Sequence, residues 1–229
     1  MTGRPSSDPM VFLLLALSGV TGLVDAVSIL GLGKVFTANM TGNVVFLGFA
    51  LVGTPGFVSD VFLLALGGFL AGSLLSGHLG RINAGRPLRR WLMQAALLEA
   101  GLLIAAGLYA NGPDHGAGSH ALAIIAMASV AMGLRNGTMR QLKVPDLTTT
   151  VLTLTLTGLA ADSRMAGGHN PNWPRRVGAV LSILGGAALG AALTNRFGLL
   201  VPLSLAAGLT LGATMVFALL PASRALAST

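Results

Sequence analysis

VFTANMTGNVVFLG, Val35 to Gly48, is the stretch that decides how this chain is read. It lies in an apolar region long enough for a membrane, yet Thr37, Asn39, Thr41 and Asn43 fall on alternate positions around Gly42. Bilayer hydrocarbon offers no hydrogen bonds, so such groups must face protein or a water-filled cavity. A partial echo, TTVLTLTLTGLA, follows at Thr149–Ala160. Matched polar interruptions in two halves of a membrane chain point to a transporter-type binding site.

The surroundings are those of a bilayer protein. Of 229 residues, 53% are hydrophobic and 9% charged, where a soluble domain carries about 25% charged residues. Eight apolar segments can be drawn, at about 10–33, 35–55, 57–80, 91–111, 120–139, 146–162, 176–195 and 198–220. Several approach the roughly 20 residues a helix needs to cross a bilayer. The expected fold class is an all-α polytopic membrane protein, since a barrel would show alternating segments of about 10 residues. The net charge of +7 sits in connections between apolar runs, where it sets topology and gives no ground for nucleic-acid binding. With no cysteine, disulfides and thiolate metal sites are excluded. The run Met10–Gly33 is too long for a typical signal-peptide core and lacks a clear cleavage site, so it reads as a retained span.

The chain also repeats itself. Gly22-Leu23-Val24-Asp25 resembles Gly133-Leu134-Arg135-Asn136, and Thr37 and Thr41 match Thr149 and Thr153. Small-residue ladders recur at Gly68, Gly72, Ser76, Gly80 and at Gly178, Ser182, Gly186, Gly190. Leu98-Glu99-Ala100-Gly101-Leu102 pairs with Leu205-Ala206-Ala207-Gly208-Leu209, setting Ala206 against Glu99. Similar matches in the same order indicate duplication. They divide one integral membrane domain into half-repeats 1–112 and 113–229.

Charge then tests topology. If all eight segments cross, Arg4, Arg164, Arg175, Arg176 and Arg224 are stranded outside. If 35–55 and 146–162 enter and leave on one side, only Lys34 and Arg196 remain outside. The positive-inside rule favours the second arrangement. Each half then has three spans and one broken or re-entrant helix, the halves are inverted, and both termini are cytoplasmic. Seven or eight full spans is the alternative, because 35–55 is long enough to cross.

Several residues can carry chemistry. Thr37, Asn39, Thr41, Gly42 and Asn43, with Thr149 and Thr153, are expected to line a solute site at intramembrane helix starts, or else to bond across helices. Asp25 and Glu99 lie inside apolar runs, where a charge costs about 2.5–3.5 kcal/mol on insertion scales. They are the candidates for proton coupling, Asp25 first. Arg135 reads first as a cytoplasmic charge at the end of a short span. Alternatively it lines the cavity and holds Asp25 or an anionic substrate. The ladders predict close packing, with the helices that carry them meeting each other or a second protomer, so Gly68, Gly72, Gly186 and Gly190 are candidates for homo-oligomer contacts. Trp91, Trp173 and Tyr109 read as interfacial anchors. His78, His115, His120 and His169 lack ligand spacing, so neither metal nor cofactor is expected.

The blocks G-L-V-D-A (22–26), F-T-A-N-M-T-G-N (36–43) and G-L-R-N-G with T-T-T-V-L-T (133–153) make nearly the whole chain resemble the YoaK-type family of bacterial inner-membrane proteins. The resemblance implies a multi-pass inner-membrane protein. In that family the second motif reads closer to Thr-Gly, whereas here Leu154 follows Thr153. The expected function is transport of a small polar or anionic solute, with proton coupling. A passive channel and a membrane scaffold are the alternatives. No nucleophile–base pair or metal constellation suggests an enzyme.

Overall fold

The computed structural model describes residues 8–112, 117–142 and 152–226. Among these it has eight α-helices and no strand. They are α1 (Pro9–Gly31), α2 (Met40–Leu51), α3 (Ser59–Ile82), α4 (Leu88–Ala110), α5 (Ala117–Leu142), α6 (Leu152–Ala161), α7 (Trp173–Phe197) and α8 (Leu200–Leu219). Six are long and apolar enough to cross a membrane, whereas α2 and α6 are short. At 1.5 Å per residue, α2 reaches about 18 Å and α6 about 15 Å, against about 30 Å of hydrocarbon. The protein is therefore an all-α polytopic membrane protein. Each helix falls within or close to one of the eight apolar segments. The segment 35–55, however, is helical only over Met40–Leu51. The start of the segment 146–162 lies outside the described residues.

Small residues set the packing. The α3 ladder receives α5: a Cβ on Gly72 would run into the Val130 carbonyl, and one on Gly133 into that of Phe69. Ser73 Oγ donates to the Gly133 carbonyl at 3.2 Å, and Ser76 and Thr138 share a hydrogen bond of 3.1 Å. The α7 ladder receives α1 in the same way, with Gly22 against Ile183, Gly186 against Gly19 and Gly190 against Leu23. The ladders do not meet each other. Each instead seats the first helix of the other half, and Gly68, Gly72, Gly186 and Gly190 are occupied within the chain.

These contacts also fix direction. Successive contacts from Gly72 to Gly80 on α3 match Val130 to Gln141 on α5, so the two helices run parallel. Gly19 to Leu23 on α1 match Ser182 to Gly190 on α7, again parallel. Gly107 meets Leu200 while Glu99 meets Thr210, so α4 and α8 run antiparallel. With the short turns α3–α4 and α7–α8, this sets α1, α4 and α7 one way and α3, α5 and α8 the other. The packing pattern is unchanged when each helix of one half is exchanged for its counterpart: α1 on α7 becomes α5 on α3, α1 on α8 becomes α5 on α4, and α4 on α8 maps onto itself.

Leu63, Leu70 and Leu74 on α3 and Leu181 and Leu184 on α7 are exposed, as a lipid-facing surface requires. The short α2 lies on α3 through rings: Phe46 has Phe57 at 5.3 Å, Phe62 at 5.8 Å and Phe36 at 6.1 Å between centroids. Trp91, expected at an interface, is buried among Leu13, Leu88 and Phe217. Tyr109 stacks on His120 at 4.7 Å, and Trp173 is exposed.

Candidate functional site

The Thr/Asn block forms a knot around a break in the helical path. After α1 ends, residues 32–39 are not helical, and their backbone groups need partners inside an apolar setting. Asp25 Oδ1 accepts the amides of Thr37 (3.2 Å) and Ala38 (2.9 Å). Asn43 takes both sides of Phe36, accepting its N–H at 2.9 Å and donating to its carbonyl at 2.6 Å. Asn39 caps α2, its Oδ1 accepting from the Gly42 amide at 3.4 Å. A Cβ on Gly42 would press on the Phe36 ring, which would have to shift. The Thr37 hydroxyl is buried without a hydrogen-bond partner among the described residues, and Thr41 is exposed.

One oxygen each of Asp25, Asn39 and Asn43 thus accepts from the backbone of residues 36–42. A carboxylate holding two amides is a latch between α1 and the start of α2. In the second half, Thr149 lies outside the described residues. Thr153 is exposed, and its carbonyl accepts the Thr157 hydroxyl at 2.9 Å. Thr153 is not brought together with Asn39 and Asn43 among the described contacts.

A second cluster lies deeper. Arg135 is only 2% exposed, so it is not a cytoplasmic charge at a helix end. Its α5 helix continues for seven further residues to Leu142 because the polar groups after Arg135 find partners inside the bundle. Thr138 bonds Ser76, and Gln141 Nε2 donates to the Ser76 carbonyl at 3.0 Å. Arg135 Nη2 pairs with Glu99 Oε1 and donates to Thr210 Oγ1 at 2.6 Å. Nη1 donates to the Leu17 carbonyl at 3.0 Å and to Thr21 Oγ1 at 3.4 Å. Thr210 Oγ1 in turn donates to Glu99 Oε1 at 3.1 Å. The partner of Arg135 is therefore Glu99 and not Asp25.

Four helices converge here: α1 with Leu17 and Thr21, α4 with Glu99, α5 with Arg135 and α8 with Thr210. Glu99 is the middle residue of α4, so the ion pair sits far from either end of a membrane-length helix. A buried pair gains strength from low dielectric but has lost hydration on both charges, and it holds only where further hydrogen bonds support it. Thr21, Thr210 and the Leu17 carbonyl supply that support. Beside the pair lies a cavity of about 20 Å³, lined by Glu99, Arg135, Thr138, Thr210 and Thr214 among Leu13, Leu17, Leu92, Ala95, Ala96, Met139 and Leu142. That is room for about one water. Arg135 Nε is buried without a hydrogen-bond partner among the described residues.

Read residue by residue, the sequence points to Glu99 and Arg135 separately but not to Thr21 or Thr210. Thr210 follows Glu99 by 111 residues, the spacing that separates Gly22 from Gly133. Applying that spacing to Glu99 points to Thr210. The structure accordingly sets Thr210, not Ala206, opposite Glu99.

Fold and site together define a multi-pass helical membrane protein with a buried charge network between its halves. The chain matches the family described as protein of unknown function (DUF1275) over residues 13–216, and it belongs to that family. No curated protein and no solved structure matches it.

Proposed function

We propose that this protein is a secondary transporter of a small polar or anionic solute, coupled to protons, with Glu99, Arg135, Thr21 and Thr210 as its central site. The observation that carries the reading is the Glu99–Arg135 pair buried midway along the bundle. Ionisable groups at such depth are costly and mark substrate or proton pathways. A carboxylate and a guanidinium contributed by helices of opposite halves can part and rejoin as the halves rock, which alternating access requires.

The directions of the helices support an inverted-repeat reading. Matched helices run oppositely, and each half supplies three long helices and one short one. With six spans, Lys34 and Arg196 lie on one side. Arg135 lies inside the bilayer, and the remaining basic residues lie on the other side with both termini. By the positive-inside rule that side is cytoplasmic, and the inner membrane of a bacterium is the setting. The two short helices then enter from opposite faces, α2 from outside and α6 from inside.

The test is flux. The full chain is reconstituted in liposomes with a trapped pH indicator, and a panel of small anions and neutral polar solutes is applied across a pH gradient. We expect at least one solute to move protons with it in the wild type, and Glu99→Gln to abolish the proton movement. A wild type that moves no solute in the panel would favour a scaffold. Solute flux with no proton movement, unaltered by Glu99→Gln, would favour a passive channel.

A further inference from the structure

We infer that the solute is a small aliphatic monocarboxylate, and that it binds by displacing protonated Glu99 from Arg135. This rests on the transport reading and names its substrate class and coupling step.

The ligand class follows from what occupies the arginine. In this structure a carboxylate, that of Glu99, holds Nη2 of Arg135. A guanidinium is built to grip a carboxylate with two donors at once. Arg135 keeps a buried Nε with no hydrogen-bond partner among the described residues, beside the Nη2 that Glu99 holds. An incoming carboxylate that takes Nε and Nη2 satisfies a donor that Glu99 leaves empty. Arg135 is the one cation among the residues lining the cavity, so one negative charge is balanced and two are not. The walls beyond the carboxylate are Leu13, Leu17, Leu92 and Met139, with hydroxyls from Thr138 and Thr214. Such walls suit a short alkyl chain, and with the Thr138 hydroxyl donating to the Leu134 carbonyl they offer too few donors for the several oxygens of a phosphate or sugar.

The coupling follows from space and charge. With about 20 Å³ free, a carboxylate cannot enter while Glu99 stays on Arg135. Two ionised carboxylates against a single guanidinium would leave one buried charge unbalanced. Glu99 must therefore take up a proton from solution as the anion arrives. The N–H···O⁻ contact from Arg135 to Glu99 opens, the same donor closes on the incoming carboxylate, and proton plus anion add no net charge to the site. Among the described residues, the groups facing Glu99 contain no titratable side chain besides Arg135: α5 gives Arg135, α8 gives Thr210, and the neighbouring part of α1 gives Leu17 and Thr21. Asp25 lies one helical turn beyond Thr21 and is held by the Thr37 and Ala38 amides.

Propionate is the probe and propionamide its neutral control. The full chain in detergent and weak buffer is titrated with each, while heat and the absorbance of a pH indicator are recorded. The wild type should bind propionate saturably and take up about one proton per anion. Wherever one proton is taken up per anion, the affinity should fall about tenfold per pH unit. Glu99→Gln should bind propionate with pH-independent affinity and no proton uptake. Arg135→Gln should not bind, and the double variant Glu99→Gln with Arg135→Gln, which leaves no charge unpaired, should fold and also not bind. Propionamide should not compete. Wild-type binding without proton uptake, or binding retained in the double variant, would overturn the inference. So would flux of a neutral solute by a protein that ignores propionate, although transport itself would then stand.

Discussion

Asn43 shows how one side chain can hold a helix break. Its amide closes both backbone hydrogen bonds of Phe36, whose N–H and carbonyl would otherwise lack a partner in an apolar setting. Asn43→Ala should cost about 1–2 kcal/mol and speed amide exchange over residues 36–43, both measurable in detergent by unfolding and by hydrogen exchange. Asp25→Asn should be milder than Asp25→Ala, because an amide oxygen can still accept from Thr37 and Ala38. If Asp25 were the coupling acid, Asp25→Asn would instead remove proton movement. Arg135→Ala strands a buried carboxylate and should cost about 3–5 kcal/mol. Adding Glu99→Gln to the same chain should restore most of that loss in thermal unfolding. A result in which the second change makes matters worse would show that the two side chains are not a pair.

Among the elements, α2 depends on its phenylalanines. It is too short to span and has little backbone contact beyond α3, so Phe46 against Phe57 and Phe62 holds it in place. Phe46→Ala should loosen α2 at a cost of about 2–3 kcal/mol. The reading is an increase in thiol reactivity at single cysteines placed along Met40–Leu51, with the helical circular dichroism of the six long helices retained. The existence of α2 was legible in the sequence, because Thr37 through Asn43 cannot sit in an ordinary apolar span. The role of those residues was less so: spacing shows that Asn39 and Asn43 need partners, not that the partners are the adjacent backbone. The ladders were legible as sites of close approach, but small side chains carry no information about which helix arrives. Arg135 misled for a physical reason. A run of Arg, Asn, Thr and Gln looks like a helix leaving the membrane unless one knows that Ser76, Glu99 and Thr210 wait across the bundle.

For the molecule as a whole, orientation is the open quantity that a cysteine-free chain makes easy to measure. Single cysteines replacing Lys34 and Val58 should react with an impermeant reagent from one side of the membrane, and one replacing the fully exposed Met165 from the other. Labelling of positions 34 and 58 from opposite sides would mean that α2 crosses, and the six-span arrangement would fail.

The contact between Glu99 and Thr210 bears on how such a chain can arise. Glu99 and Thr210 occupy matched places on α4 and α8 and touch where those helices cross. Two copies of the first half, assembled as a homodimer, would set glutamate against glutamate with no arginine between them, since Val24 stands where the second half has Arg135. Two copies of the second half would bury two arginines against threonines. Neither self-pairing balances its charge. On the proposed inverted-repeat reading, the network needs halves that differ where they meet, and covalent linkage of unlike halves delivers one acid to one base every time the protein folds.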